Sequence, residues 1–111
     1  MMKNFIGFFL LCFLANSFSQ KLHSVNYASQ ADLKVFVVDY ENQADLKVYK
    51  VKYQNQASGN EGKWFFVDYS SQADKKIYFV KYANQADLKI YFVKYQNQVG
   101  WRNNAKKHLL Y

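Results

Sequence analysis

The sequence has no proline, one cysteine, two histidines and four glycines. Each scarcity excludes something. Without proline, and with so little glycine, the chain has none of the composition of a linker or a disordered segment. Cys12 is the only thiol, so no disulfide can form within the chain. A zinc centre needs about four N, S or O ligands at set spacings, and no such spacing occurs. Acidic residues are also few: 8 Asp and Glu stand against 15 Lys and Arg, for a formal charge of +7. That excess suits an acidic polymer or a membrane surface. The lysines are spread evenly rather than gathered in a block, which favours plain solubility. The one long apolar run, Phe5 to Ala15, is shorter than the roughly 20 residues a spanning helix needs.

That run has another reading. Lys3 precedes it, and the small residues Ser17 and Ser19 follow it. This is the order of a secretory signal peptide over residues 1–19, cut after Ser19. Leu11 stands where lipoprotein processing at Cys12 would need a small residue. The expected mature chain is residues 20–111, a single domain, secreted or periplasmic. It has no cysteine, no transmembrane segment and, once Lys3 is removed from +7, a charge of +6. A domain of this size without staples depends on its core or on an unusual topology.

What fills the mature chain is repetition. Tyr27, Tyr40 and Tyr53 are thirteen residues apart, as are Tyr69, Tyr82 and Tyr95; the gap from Tyr53 to Tyr69 is sixteen. The units read "YASQADLKVFVVD", "YENQADLKVYKVK", "YQNQASGNEGKWFFVD", "YSSQADKKIYFVK", "YANQADLKIYFVK" and a broken "YQNQVGWRNNAKK". The extra residues fall in "SGNEG", which is turn material. Half of each unit alternates with period two in β-branched and aromatic residues, which predicts a strand. One face repeats almost unchanged: Phe36, Val38, Tyr40; Tyr49, Val51, Tyr53; Phe65, Val67, Tyr69; Tyr78, Val80, Tyr82; Tyr91, Val93, Tyr95. That constancy assigns it to the core. The other face is mixed, with Val37, Lys50, Phe66, Phe79 or Phe92 at one position, and is expected to be half exposed.

Between strands lies Asn/Ser-Gln-Ala-Asp, a turn phrase. Asp32, Asp45, Asp74 and Asp87 each precede a lysine by two residues (Lys34, Lys47, Lys76, Lys89), so same-face ion pairs are expected. The recurring Gln30, Gln43, Gln56, Gln72, Gln85 and Gln98 are expected to hydrogen-bond backbone. No single unit could bury a core, so repeats must pack on repeats. The residues predict an all-β domain of strand-turn units and leave open a short β-solenoid, a small β-sandwich or a rarer closed form.

The phrases "VDYENQADLKVYKVKYQNQA", "GKWFFVDYSSQADKKIYFVKYANQADLKIYFVKY" and "GWRNNAKKHLLY" resemble the septoil-knot domain family of bacteria, over about residues 25–111. The resemblance implies a knotted β-torus: short β-segments whose path winds twice around a ring. The family counts as a domain of unknown function, so the resemblance transfers no site.

Chemistry has few candidates. His23 and His108 both lie outside the repeats and lack the partners a triad needs. Glu61 is the only carboxylate in "SGNEG", too few for calcium. Acidic residues repeated at one turn position read as structure. No catalytic residue, cofactor or metal is expected, and the chain is expected not to be an enzyme. Trp64 and Trp101 mark the two irregular units, residues 57–64 and 99–104. They are the candidate ligand-binding residues, for a glycan or acidic polymer, with a core plug as the alternative. "QADLKVY" is similar to a mannose-binding lectin motif, but Lys47 stands where that motif has Asn. No nucleic acid is expected, because the chain is read as exported and its aromatic face as buried. A monomer is expected, serving as a structural or binding module at the cell envelope.

Overall fold

The computed structural model describes residues 20–110, so the leader assigned to residues 1–19 lies outside the described residues. Seven strands follow one another: β1 (Lys21–Ser24), β2 (Leu33–Val37), β3 (Leu46–Lys50), β4 (Lys63–Phe66), β5 (Lys75–Phe79), β6 (Leu88–Phe92) and the short β7 (Gly100–Trp101). A three-residue 3-10 turn follows each of the first six, and a longer one, Asn104–Leu110, ends the described chain.

The first six strands are all parallel and close into a ring in the order β1, β5, β2, β6, β3, β4 and back to β1. Successive units do not sit side by side. From β1 to β2 to β3 the chain skips a place each time, and β5 and β6 later fill those places. This is a chain wound twice around a ring, each lap interleaved with the other. A β-solenoid would stack units in sequence order and a sandwich would need two antiparallel sheets, so both alternatives fall.

The irregular unit explains how the second lap avoids the first. If every step skipped one strand, β4 would land on β1. The β3-to-β4 connection instead moves one place, pairing Tyr49 with Lys63 and Lys50 with Trp64. The three extra residues are in that connection. Gly62 there has φ +105°, and a Cβ on it would collide with the Lys47 carbonyl oxygen. Only glycine permits both the left-handed backbone and the close approach.

The register is staggered by two residues per strand. Val35, at the centre of β2, lies opposite Phe79 at the end of β5 and Leu88 at the start of β6. Ile77 likewise lies opposite both Ser24 and Leu33. Alternation then sends every second side chain inward. The six central residues, Leu22, Val35, Val48, Trp64, Ile77 and Ile90, are all buried to 1% exposure or less. Leu33, Leu46 and Leu88 form the layer on one side of them. Phe66, Phe79 and Phe92 form the other layer, half-buried at the opposite mouth, with the Lys50 ammonium 4.8 Å from the Phe92 ring centroid and 5.4 Å from that of Phe66.

The face that repetition assigned to the core is therefore the wrong one. Tyr40, Tyr53, Tyr69, Tyr82 and Tyr95 are 64–68% exposed. Phe36, Tyr49, Phe65, Tyr78 and Tyr91 are half-buried, as are Val67, Val80 and Val93; only Val38 and Val51 of that set are buried. The reason is local. The strands stop before these tyrosines, the chain bends, and each tyrosine becomes the N-cap of a 3-10 turn on the outside. Each outer turn lies over a strand of the other lap, Ala83–Gln85 over β2 and Glu41–Gln43 over β6, for example.

The expected Asp–Lys ion pairs are also replaced by something else. Each repeat aspartate clamps the backbone of a lysine in the other lap. Asp32 N donates to Lys76 O (2.7 Å) while Asp32 Oδ2 accepts from Lys76 N (2.9 Å). Asp74 does the same to Lys21, Asp87 to Lys34 and Asp45 to Lys89. Where a unit lacks this aspartate, glutamine takes over locally: Gln56 and Gln98 Oε1 accept from Tyr53 N and Tyr95 N, each at 3.1 Å.

Three stability measurements follow. In chemical denaturation Ile77→Ala should cost about 2–5 kcal/mol, whereas Tyr82→Ala should stay within about 0.5 kcal/mol. Asp45→Ala should cost roughly 3 kcal/mol and Asp87→Ala about half that, since Asp45 is buried and also binds Asn103 and Lys106. Gly62→Ala should destabilise far more than Gly59→Ala, whose Cβ would meet open space and whose backbone strain is about 1–2 kcal/mol.

Candidate functional site

Trp64 and Trp101 serve the ring's closure. Trp64 is 0% exposed and is the central residue of β4, so it plugs the core and no ligand reaches it. Its indole N–H has no hydrogen-bond partner among the described residues. Trp101 is half-buried and donates from Nε1 to the Asn60 carbonyl at 2.7 Å. Asn60, buried within the extra residues, joins both ends of the described chain. Its Oδ1 accepts from Gln20 Nε2 (3.0 Å) and its Nδ2 donates to Lys107 O (3.1 Å). The last unit is pinned again at Asp45, whose carbonyl accepts from Arg102 N and Asn103 N and whose carboxylate meets Lys106 Nζ at 3.3 Å. Residues 57–64 and 99–104 thus break the repeat in order to close it. His108 is exposed, with Nδ1 3.0 Å from the Ala105 carbonyl of its own turn.

The departure that closes nothing is in β1. Counting back thirteen residues from "LKVFVVDY" gives "QKLHSVNY": His23 stands where other units carry Phe or Tyr, and Ser24 where they carry Val, Lys or Phe. β1 sits in the ring like any other strand, between β4 and β5. Beside it opens a cleft of about 570 Å³, lined by His23, Ser24, Ser29, Asp32, Ser70 and Lys76 among others. His23 is half-buried, and its Nδ1 lies 3.0 Å from the Val67 carbonyl. A carbonyl can only accept, so Nδ1 carries the proton and Nε2 of the neutral ring is left as an acceptor. Among the described residues, no group of three or more His, Cys, Asp or Glu could hold a metal.

A second surface surrounds the ring. Tyr27, Tyr40, Tyr53, Tyr69, Tyr82 and Tyr95 expose 64–68% of their surface, one at the start of each outer turn. Reading the sequence alone placed five of these in the core and discounted His23. The signal for β1 was present: extending the thirteen-residue frame one unit upstream of Tyr27 exposes the two polar replacements. The turn residues Ser29 and Ser70 gave no such signal, because only the ring brings two distant units together.

Among the described residues no helix is long and apolar enough to cross a membrane. Comparison with curated proteins finds no match. A family model, the 7(1) septoil knot domain, matches residues 19–102. The interleaved double lap is the path expected of such a domain, and the chain belongs to the septoil knot family.

Proposed function

We propose that this protein is a non-enzymatic, exported binding module of a bacterial cell envelope, and that its outer belt of tyrosines holds a repetitive glycan. The observation that carries this reading is the exposure of all six turn tyrosines at 64–68%. Other repeated groups have structural uses: the inward leucines, valines and isoleucines fill the ring, and the aspartates clamp backbone. The tyrosines fill no core position and are nevertheless repeated in every unit. A flat, amphipathic ring is suited to stacking on a sugar while its hydroxyl bonds to it. Six equivalent weak contacts on one rigid ring would act together on a polymer, with avidity gains of roughly 10²–10⁴ over one contact. The leader-like residues 1–19 fit an exported chain.

The excess of positive charge, +7 over the whole sequence, supports a second reading, an acidic polymer held by charge. Salt separates the two, since charge-driven binding weakens steeply as salt rises. The protein should be retained by at least one insoluble polysaccharide, such as peptidoglycan, chitin or cellulose, with little change on raising salt. A Tyr27→Ala, Tyr40→Ala, Tyr82→Ala variant should keep its fold and lose at least about tenfold in retention. Retention unchanged in that variant, or absent for the wild type on every polymer, would sink the glycan reading. Retention abolished by salt would favour the acidic polymer.

A further inference from the structure

The cleft at His23 has an internal control. Thirteen residues on, the same groove recurs between the next pair of turns: Phe36 replaces His23, Val38 replaces Val25, Gln43 replaces Gln30, Ala83 replaces Ser70 and Lys89 replaces Lys76. That second groove has a volume of about 360 Å³, against 570 Å³ for the first. The backbone frame is the same in both. Asp32 clamps Lys76 in one as Asp45 clamps Lys89 in the other. The lining differs in its side chains, and the second groove is also crowded by the last unit, whose Arg102 Nη1 donates to the Asn42 and Ala44 carbonyls; the first is the larger and more polar cleft.

We infer that this cleft is a single-copy binding site for a neutral, hydroxylated ligand of the size of one or two sugar rings. The volume lies within the usual range of about 300–1,000 Å³ for small-molecule sites. The wall offers hydroxyls from the turn residues Ser29 and Ser70, which both donate and accept. In the neutral imidazole of His23, Nε2 accepts, the Nδ1 proton being committed to Val67 O. Asp32 keeps Oδ1 without a partner among the described residues, since its recorded bond to Lys76 N uses Oδ2. One carboxylate and one ammonium, Asp32 and Lys76, offset each other, so the wall has no net preference for an anion. Among the described residues its lining includes no aromatic platform beyond the imidazole, which disfavours a nucleobase or an acyl chain. Mixed donors and acceptors around a neutral cleft are the complement of a polyol. Ser29 comes from the first lap and Ser70 from the second, so the site exists only in the closed ring.

The inference shares the ligand class of the glycan reading but not its surface, and the two fail separately. Polymer retention by the tyrosine variants reports on the belt. Titration with soluble neutral oligosaccharides reports on the cleft. Cello-, chito-, manno- and malto-oligosaccharides up to the disaccharide are added at millimolar concentration, and the His23 imidazole and Asp32 and Ser70 amide resonances are followed by NMR. At least one sugar should give saturable shifts confined to these residues. The variant His23→Phe, Ser24→Val, Ser70→Ala restores the repeat and should fold as well as the wild type while binding at least tenfold more weakly. Ser29→Ala, on an exposed turn, is a second variant that leaves the ring untouched and should also weaken binding. The inference is overturned if no sugar gives a saturable shift, or if the shifts persist unchanged in both variants. It is equally overturned if inorganic phosphate or glucuronate binds the cleft and the neutral sugars do not.

Discussion

Six backbone hydrogen bonds hold this molecule closed. The valine after each strand donates its N–H to the carbonyl of the buried central residue of a neighbouring strand: Val25 to Ile77, Val80 to Val35, Val38 to Ile90, Val93 to Val48, Val51 to Trp64 and Val67 to Leu22, all at 2.8–2.9 Å. Followed in that order, they cross each seam of the ring once and return to β1. Five of the six join residues about 45–52 positions apart, and the sixth, Val51 to Trp64, joins the two laps across the irregular unit. No unit can form its share until the other lap is in place. The same bonds set the two-residue stagger, and the stagger brings the six central residues together inside. The aspartate clamps reinforce four of the six seams at the start of the strands. At the other two, β3 with β4 and β4 with β1, the repeat aspartate is missing. Asn60, Gln20 and the last unit gather around that gap, and β7 covers the part of the β3 edge that β4 leaves free. A closed parallel ring has no free strand edge, and both ends of its described chain are tied to Asn60 or Asp45. That accounts for an ordered domain of this size without a disulfide.

Much of this was legible in the sequence and some was legible only in reverse. The thirteen-residue period, the strand in each unit, the turn phrase and the odd sixteen-residue unit all correspond to structure. The core face did not, because two faces repeat equally well. Leu33-Val35, Leu46-Val48 and Leu88-Ile90 are as regular as Tyr49-Val51-Tyr53, and constancy could not choose between them. What decides is where the strand ends. Counting in twos past Val38 carries the alternation into a bend, and a tyrosine that shares a face on paper points outward in space. The aspartates misled for a related reason. Their lysines two residues on are same-strand neighbours, yet the carboxylates reach across to a strand some 44–53 residues away. No local pattern states such a pairing; it follows only from the interleaving of the laps.

The repeat also sorts its own exceptions. An array of near-identical units makes each departure a question with a structural answer or none. "SGNEG" shifts the second lap by one place, and Gly62 lets it pass the Lys47 carbonyl. "GWRNN" brings Trp101, Arg102 and Asn103 onto Asn60 and Asp45 and seals the ring. Lys75, where other units carry Leu, lies next to β1 in the register, opposite Leu22. His23 and Ser24 answer no such need. They sit in a strand that pairs on both sides as its neighbours do, and a Phe-Val or Tyr-Phe pair at these places would bury more apolar surface.

That asymmetry bears on where function resides in a closed ring. The centre of the ring is filled by one large indole and five aliphatic side chains, with Leu33, Leu46 and Leu88 layered beside them, so the barrel is a packed core. Polar chemistry is confined to the outer layer, where 3-10 turns of one lap lie over strands of the other and leave a groove at each seam. The groove floored by the half-buried Phe36 measures about 360 Å³ and has the last unit beside it. Replacing that floor with imidazole costs apolar burial in a domain with little to lose. Six-fold repetition would have made Phe or Tyr the default at position 23, as it is at 36, 49, 65, 78 and 91. The polar floor persists against the packing preference of its own fold, and recognition of a polar ligand is the use its geometry fits.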